Sequence, residues 1–528
     1  MKRVLGLILF LMLATAVFAD DACGKLAGIK IPNTTITLAQ IEAAGAFVGP
    51  PAPFTGADIS WLYKSLPEFC RVVAEAKPTA DSDIKMEIWL PVSGWNSKLE
   101  GLGNGGFAGL IDDMQIAMAV KHGYAATATD AGHTGGDAGW ALGHPEKVID
   151  FGHRGIHEMT RVAKAVVQAY YGKAAQRSYF AGCSDGGREA LMEAQRYPED
   201  YDGILAGAPA NYWTRLVSLA AYDTQQMTSD AASFIPQDKI PAIADAVNAA
   251  CDDKDGVKDG ILNDPRECKF DPSTTQCKAG EESEKCLTPP QVAALKTIYD
   301  GLRNSKGDLL FPGYLPGAET GPGGWGMWIT GRTPGRSLMA FFSTGYFSDF
   351  VYEKPDWNLK GFAVDAALKM AEEKTGDALN AINPDLSAFQ KRGGKLILYH
   401  GWDDPAIPAL NTVNYYESVL TKMGAKNADS FVRLYMVPGM QHCAGGPGAT
   451  SFGGVGYLIF DDPSHSVDAS LEQWVEKGTA PGTIIASKHE PGNWQHTVMT
   501  RPLCVYPQEA KYKGSGDTND AGSFVCGK

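Results

Sequence analysis

A short glycine-framed segment around Ser184 constrains the fold of this chain more than any other part of the sequence. Gly182 and Gly186 flank the serine in a Gly-x-Ser-x-Gly pattern. Residues 178–182 before it have the apolar, aromatic character of a strand, and residues 188–196 after it have helical spacing. A sharp turn from strand to helix lifts a serine hydroxyl into a cleft. The sequence therefore predicts a nucleophile elbow.

Strand and helix patterns alternate on both sides of this turn. Further strands are predicted at residues 86–93, from 99 into a glycine-rich loop ending at 109, and at 124–129, 201–207, 395–399 and 431–435. Further helices are predicted at residues 111–121 and 157–171. This alternation predicts an α/β fold with a parallel sheet and helices on both faces.

The alternation is interrupted from about residue 212 to 393. This stretch is rich in Asp, Gly, Pro and Trp and holds four of the cysteines. The strand pattern then resumes. The simplest interpretation is a core made of residues 20–211 and 394–528, with a large inserted lid domain at 212–393.

Residues 1–19 have the composition of a secretory signal. A basic start precedes an apolar run and a small-residue cleavage site that ends at Ala19. The run is short for a membrane span, and an uncleaved anchor is the alternative. Cleavage removes Lys2 and Arg3, which takes the formal net charge from −14 to −16. We expect a secreted or periplasmic protein that does not bind nucleic acid, because an acidic surface repels phosphates.

All ten cysteines lie beyond this segment. An even number of cysteines in an exported chain indicates disulfides. No Cys-x-x-Cys occurs, so a zinc ribbon is not expected. The sequence alone does not fix the pairing, but short separations favour three local pairs: Cys251–Cys268, Cys277–Cys286 and Cys504–Cys526.

Two downstream segments supply a base and an acid for Ser184. Serine attack on an acyl carbon needs a base to take the hydroxyl proton and an acid to orient that base. In α/β-hydrolases the chain order is Ser, then Asp or Glu, then His, each near a strand end. His442 follows the last predicted strand, and Asp403 and Asp404 compete for the acid position after the strand before it. His400, beside these acids, is a candidate to line the cleft.

The developing oxyanion needs two pre-aimed N–H donors. One is expected from Asp185, directly after the serine. The other is expected from the glycine-rich loop at 103–109, with Gly105 and Gly106 as candidates, because glycine lets the backbone approach a substrate closely. A tight turn is the alternative role for this loop. His133 is a second histidine near a strand end that is a candidate to line the cleft.

Cys183 and Cys443 stand next to the proposed nucleophile and base, Ser184 and His442. A bond between the two cysteines would close a loop of about 260 residues, worth on the order of 5 kcal/mol in the chain-entropy model. It would also hold two loops from distant strands within bonding reach.

An acidic segment of the insertion has the composition of a calcium site. Calcium takes six to eight oxygen ligands. Candidate ligands are the side chains of Asp252, Asp255 and Asp259 and the carbonyls of Val257 and Ile261. No glutamate stands at the twelfth position of an EF-hand loop. We expect a structural role, with a polar turn stapled by a disulfide as the alternative.

With these residues in place, the chain resembles the tannase and feruloyl esterase family, which includes mono-hydroxyethyl terephthalate hydrolases. The resemblance covers nearly all of the mature chain. It rests on Cys183-Ser184 and His442-Cys443, and on motifs that match Gly-Asn-Gly-Gly-Phe at 103–107, Gly-Ala-Pro-Ala at 207–210 and Tyr-His-Gly-x-x-Asp at 399–404.

The resemblance implies site residues and disulfides beyond those predicted from strand pattern, chain order and cysteine spacing. It selects Asp404 as the triad acid and matches the calcium ligand set of the family's lid. It also implies five disulfides: Cys23–Cys70, Cys183–Cys443, Cys251–Cys268, Cys277–Cys286 and Cys504–Cys526.

The resemblance further implies a secreted serine carboxylester hydrolase with structural Ca²⁺ and no organic cofactor. Feruloyl and related hydroxycinnamoyl esters, including those of plant polysaccharides and polyphenols, are the first expectation. Galloyl esters (tannase activity) and terephthalate monoesters follow. A non-catalytic binding protein on the same fold is the alternative from another class. Aromatic residues of the lid, from Trp325 and Trp328 to Phe341, Phe342 and Tyr346, suit an aromatic acyl group or the lid's own core.

Overall fold

The computed structural model describes residues 22–53, 55–281, 283–454 and 462–528. The predicted signal, residues 1–19, lies outside them. By contacts the chain divides into two compact units. The first comprises the described residues up to 136 together with 144–181 and 199–202, and the second comprises 137–143, 182–198 and the described residues from 203 onward.

The first unit is built on a mixed sheet. Its strands are β1 (Thr34–Glu42), β2 (Phe69–Ala76), β3 (Ile84–Pro91), β4 (Lys98–Leu102), β5 (Ala125–Thr129) and β6 (Arg177–Cys183), the last two residues of β6 belonging to the second unit. β1, β2, β3 and β5 pair antiparallel in that order, and β4 runs parallel between β5 and β6. Its α-helices are α1 (Ser60–Lys64), α2 (Asp113–Lys121), α3 (Pro145–Ile149) and α4 (Gly155–Tyr171).

Helix α4 shows how the apolar pattern produces an element of this unit. Ile156, Met159, Ala163 and Val166 are buried at intervals of three and four residues, so that one stripe faces the core. Gly172 ends the helix in the left-handed region, with φ of 69°. The predicted helix at 157–171 is confirmed.

The second unit contains the remaining strands and helices. Its strands are β7 (Gly203–Gly207), β8 (Leu302–Arg303), β9 (Leu309–Phe311), β10 (Lys395–Gly401), β11 (Val432–Val437), β12 (Ile484–Glu490), β13 (Asn493–Leu503), β14 (Glu509–Tyr512) and β15 (Phe524–Gly527). Its α-helices are α5 (Asp185–Arg196), α6 (Trp213–Thr228), α7 (Ile240–Cys251), α8 (Pro289–Asp300), α9 (Trp325–Trp328), α10 (Leu338–Gly345), α11 (Val364–Leu379), α12 (Ser387–Lys391), α13 (Ala409–Met423), α14 (Ala425–Ala428) and α15 (Val467–Lys477).

Strands β7, β10 and β11 lie side by side and parallel, with β10 in the middle. All of their residues are buried except Lys395 at the start of β10, as in a parallel sheet covered on both faces. The chain leaves after β7 and returns at β10, so residues 208–394 form a long, mostly helical excursion between neighbouring strands. The predicted lid at 212–393 lies within it, and its boundaries remain a prediction.

The other strands of this unit form three antiparallel hairpins, β8–β9, β12–β13 and β14–β15. Within the described ranges, none of the helices combines the length and apolar character needed to cross a bilayer.

Candidate active site

Ser184 occupies the sharp turn between β6 and α5. Its backbone has φ of 66° and ψ of −120°, a combination that few non-glycine residues adopt. Two glycines allow the close approaches that this turn needs: a Cβ at Gly182 would lie 2.3 Å from the oxygen of Gly186, and one at Gly187 would lie 2.2 Å from that of Gly207. The elbow geometry predicted around Ser184 is therefore present.

The Ser184 hydroxyl is one end of a hydrogen-bonded chain of three side chains. His442 Nε2 lies 2.9 Å from Ser184 Oγ, and His442 Nδ1 lies 2.8 Å from Asp404 Oδ2. Because the Asp404 carboxylate only accepts, Nδ1 carries the proton and Nε2 accepts from the serine hydroxyl. Asp404 follows β10 and His442 follows β11, whose carboxyl ends lie side by side.

Asp404 is buried and well supplied with donors. Its Oδ1 accepts the N–H groups of Ala406 at 2.7 Å and Ile407 at 2.9 Å. Its Oδ2 lies near two imidazoles, His442 and His400. Burial raises the pKa of the Asp404 carboxyl, but the charge of His442 and the hydrogen bonds from both histidines outweigh burial and hold that pKa below its ordinary value. The carboxylate is fixed in its ionised form.

His400 contacts the triad acid from behind. The residue is fully buried, with Nε2 3.1 Å from Asp404 Oδ2 and 3.0 Å from the carbonyl oxygen of Ile407. Both partners are acceptors, so Nε2 carries a proton, and Nδ1 lies 2.7 Å from the hydroxyl of Thr412. His133 is also buried, with Nε2 2.6 Å from the carbonyl oxygen of Phe107.

Asp403 differs from its neighbour although both are buried. Among the described residues, neither of its carboxyl oxygens has a hydrogen-bond partner. Burial and the charge of Glu319 raise the pKa of Asp403 well above its ordinary value, against the effect of the nearby Gly439 amide. Burial therefore disfavours the charged form of this side chain. Only Asp404 of the two candidates meets His442.

All five disulfides implied by the family resemblance are present. They join Cys23 to Cys70, Cys183 to Cys443, Cys251 to Cys268, Cys277 to Cys286, and Cys504 to Cys526. The Cys183–Cys443 bond, with Cα atoms 6.0 Å apart, ties the residue before Ser184 to the residue after His442. The distance between these two side chains is thus restrained covalently as well as by packing.

The first turn of α5 carries a buried ion pair. Arg188 Nε donates to Asp185 Oδ1 at 2.7 Å, and both side chains are almost fully buried. The Arg188 guanidinium also lies over the ring of Trp213, 5.5 Å from its centroid. The Asp185 carboxylate is therefore engaged within the helix, and its backbone N–H is the group that remains a candidate for the oxyanion hole.

Gly105 and Gly106 lie in the first unit, on the loop between β4 and α2. Gly106 has φ of 62°, and the N–H of Ala108 donates to the oxygen of Gly105 at 3.0 Å. The loop is thus a tight turn that uses glycine at a left-handed position. Its role as an oxyanion donor remains a prediction.

The acidic segment after α7 forms a compact loop held by its own N–H groups. Asp252 Oδ1 accepts from Asp259 and Gly260, and Asp255 accepts from Val257 and Asn263. Asp259 Oδ1 accepts from the N–H of Ile261, and its Oδ2 accepts from Arg501 at 2.7 Å.

Burial and the charges of Asp259 and Asp252 raise the pKa of Asp255 to about 6, although backbone N–H groups oppose this. The oxygen donors fit calcium chemistry, and a cation would relieve this repulsion. Within the described ranges, however, no three Asp, Glu, His or Cys side chains already converge as a metal cluster, so calcium binding remains a prediction.

The aromatic side chains of the excursion divide into two groups. Trp325 and Tyr346 are fully buried and belong to its core. Trp328 packs edge-on against the His442 ring at 4.9 Å between centroids, and Phe342 stacks on Trp328 at 6.4 Å. From the sequence these aromatic residues could line the acyl site or form the core of the lid, because aromatic composition does not show which way a ring points.

A family model and similar sequences point to the same protein family. The family model described as tannase and feruloyl esterase matches residues 70–527. An uncharacterised esterase of Xanthomonas campestris pv. campestris is 38% identical over 97% of this chain and 92% of its own length. A probable feruloyl esterase B of Aspergillus clavatus is 32% identical over 99% of both chains.

A solved structure gives the same result. Feruloyl esterase B from Aspergillus oryzae superposes with a TM-score of 0.87 at 29% identity, covering 96% of this chain and 100% of that one. The parallel strands, flanking helices and elbow described above agree with an α/β-hydrolase fold. The chain therefore belongs to the tannase and feruloyl esterase family of carboxylic ester hydrolases.

Proposed function

We propose that this chain is a secreted serine esterase that cleaves esters of aromatic acids, with feruloyl and other hydroxycinnamoyl esters as its first substrates. The observation that carries the proposal is the hydrogen-bonded chain from Ser184 through His442 to Asp404. The names of the relatives point to the same acyl class. Disulfides, which persist in oxidising compartments, support export.

The proposed reaction proceeds in two acyl-transfer steps. Ser184 Oγ attacks the ester carbonyl while His442 Nε2 takes its proton, and Asp404 stabilises the imidazolium that forms. The N–H groups of Gly105, Gly106 and Asp185 are the proposed donors to the oxyanion. His442 then protonates the leaving alcohol, and a water molecule activated by the same imidazole hydrolyses the acyl-enzyme.

The aromatic pair of Trp328 and Phe342 supports an aromatic acyl group. Trp328 packs edge-on against the His442 ring and Phe342 stacks on Trp328, so planar apolar groups lie near the reacting atoms. Galloyl and terephthalate acyl groups are also planar, so tannase and terephthalate monoester hydrolase are the alternatives.

Calcium belongs to this proposal as a structural ion. Asp252, Asp255 and Asp259, with the carbonyls of Val257 and Ile261, would hold it, and its charge would offset the repulsion among the carboxylates. The ion takes no part in the proposed reaction.

The test is hydrolysis of methyl ferulate, methyl gallate and a terephthalate monoester by one purified sample and by Ser184→Ala. We expect the highest kcat/KM on methyl ferulate and a loss of at least about 10³-fold in the variant. Equal rates in both proteins would contradict the triad. Absence of hydrolysis by the unaltered protein would favour the non-catalytic binding protein.

A further inference from the structure

A large open cleft in the second unit reaches the segment that carries the proposed base. The backbone oxygen of Thr320, which lines the cleft, accepts a hydrogen bond at 2.6 Å from the side chain of Gln441, the residue before His442. Its volume is about 1260 Å³, and residues 319–349 of the excursion supply most of its walls. The exposed apolar side chains Met327 and Phe341 line it. Met327 precedes Trp328, whose ring packs edge-on against His442, and Phe341 precedes Phe342, which stacks on Trp328. The cleft and the catalytic base are therefore connected through Gln441 and through the short helix that carries Met327 and Trp328.

The size of this cleft exceeds what one aromatic acid requires. Pockets for drug-sized ligands have volumes of about 300–1,000 Å³, and a hydroxycinnamoyl group is smaller than such ligands. If the acyl group occupies the surface next to His442, most of the cleft remains for the alcohol portion of the ester. The chemistry of the cleft walls then determines which alcohols bind well.

Two arginines on one turn line the cleft. Arg332 and Arg336 lie between Gly331 and Ser337. Gly331 has φ of 71°, and a Cβ there would lie 2.5 Å from the oxygen of Arg336, so the turn folds back on itself. Both arginines are exposed, and across the described residues neither guanidinium group has an ion-pair or hydrogen-bond partner. In a chain of net charge −14, such unpaired guanidinium groups offer a site for an anion.

The acidic residues of the same cleft do not neutralise these arginines. Asp137 and Asp349 also line it, as does the buried Glu319, which accepts hydrogen bonds from the Tyr299 hydroxyl and the Gly317 N–H. Burial and the charge of Asp137 together raise the pKa of Asp349, which places the two carboxyls near each other. In the described chain neither carboxyl lies within ion-pair distance of Arg332 or Arg336. The positive charge of Arg332 and Arg336 is therefore not cancelled by an ion pair with these acids.

We propose that Arg332 and Arg336 bind a carboxylate on the alcohol portion of the ester, which makes esters of acidic alcohols the preferred substrate class. The proposal rests on the esterase function proposed above. A guanidinium binds a carboxylate through two parallel N–H donors. Both arginines are exposed, so we expect them to contribute to substrate binding, expressed in KM, with a contribution that falls with added salt. A hydroxy acid and a uronic acid of a polysaccharide present the same chemistry.

The experiment compares matched esters on Arg332→Ala/Arg336→Ala and the unaltered protein. The substrates are the feruloyl ester of a hydroxy acid, the same compound with its carboxyl group amidated, a feruloyl uronic acid, and methyl ferulate. We expect KM for the two acidic esters to rise about fivefold to tenfold in the variant. KM for the two neutral esters should change less than twofold, as should every kcat. In the unaltered protein, 0.5 M salt should raise KM for the acidic esters only.

Two variants control for indirect effects. Arg332→Lys/Arg336→Lys keeps the charge and should retain most of the preference. Arg303→Ala removes an exposed arginine of the β8–β9 hairpin, whose Nη1 donates to the oxygen of Gly307 outside the cleft, and should leave all four KM values unchanged.

An equal rise of KM for acidic and neutral esters, or no change for either, would overturn the proposal. A KM effect seen only with a terephthalate monoester would place the recognised carboxylate on the acyl side and would also overturn it. A response of one acidic ester and not the other would identify the hydroxy acid or the uronic acid as the ligand and support it. Failure to cleave methyl ferulate at all would contradict the esterase function itself, which separates the two proposals.

Discussion

Asp404 and the acidic loop around Asp255 both bury carboxylates, with opposite electrostatic results. Asp404 accepts backbone N–H groups and faces two imidazoles, and its pKa is lowered. Asp255 also accepts backbone N–H groups but faces Asp252 and Asp259, and its pKa is raised to about 6. The sign of the neighbouring charge decides the difference. The charge of Asp404 is offset by the two histidines that contact it, whereas the loop brings three carboxylates together and pairs one of them, Asp259, with Arg501.

The largest effect is expected for Asp404→Asn, which removes the charge that distinguishes Asp404 from the acidic loop. The amide keeps the shape of the side chain but loses the charge that stabilises the His442 imidazolium and fixes its tautomer. We expect kcat on methyl ferulate to fall by about 10³–10⁴-fold, with KM little changed. Steady-state kinetics measure this effect, and a circular dichroism spectrum like that of the unaltered protein shows that the variant is folded. A loss of less than tenfold would remove Asp404 from the proposed triad.

The loop should respond to an ion where the triad corner should not. We expect chelation of calcium to lower the melting temperature by a few degrees, since an ion at 100 times its Kd stabilises the folded state by about 2.7 kcal/mol. The kcat of chelated protein that is still folded should stay within about twofold.

Differential scanning calorimetry with and without chelator measures the shift, and two variants assign it to the loop. Asp255→Asn should abolish the calcium dependence, and Asp271→Asn, at an exposed cap, should retain it. Identical melting temperatures with calcium and with chelator would contradict the calcium site.

The comparison also shows what the sequence can predict. The elbow at Ser184, the position of His442 and an acid at position 403 or 404 follow from local signals: glycine spacing, strand patterns and chain order. The strands that end at these residues appear within about two residues of their predicted bounds. Strands β1 and β2 were not predicted, because their pairing, β1 with β2 and β2 with β3, depends on tertiary contacts more than on their own composition.

The features of the site that the sequence did not predict depend on tertiary contacts. The sequence placed His400 near the cleft, but its contact with Asp404 Oδ2 arises from the way the segment after β10 folds back. The isolation of Asp403 has no sequence signal either, since it and Asp404 are adjacent and chemically identical. The family motif separated these two residues, and the environment of each explains why they differ.

The smallest effect is expected for Asp403→Asn, which removes a buried ionisable group beside the triad acid. The pKa of Asp403 in the folded state lies above its unfolded value of 3.8, so the folded protein binds the extra proton and loses stability as the pH rises above 4. The amide does not ionise and avoids this loss. We therefore expect the variant to match the unaltered protein at pH 4 and to exceed its stability by about 1 kcal/mol at pH 8.

Thermal melts at both pH values measure this difference, and kcat at pH 7 should stay within about twofold. Asp404→Asn should change the stability at pH 8 in the opposite direction. The folded-state pKa of Asp404 is depressed, so that carboxylate contributes stability above its unfolded pKa, and the variant should be less stable than the unaltered protein at pH 8. Two adjacent aspartates should thus shift stability in opposite directions with pH. A loss of stability at pH 8 in Asp403→Asn would show that its carboxyl is ionised and has a partner in the folded protein.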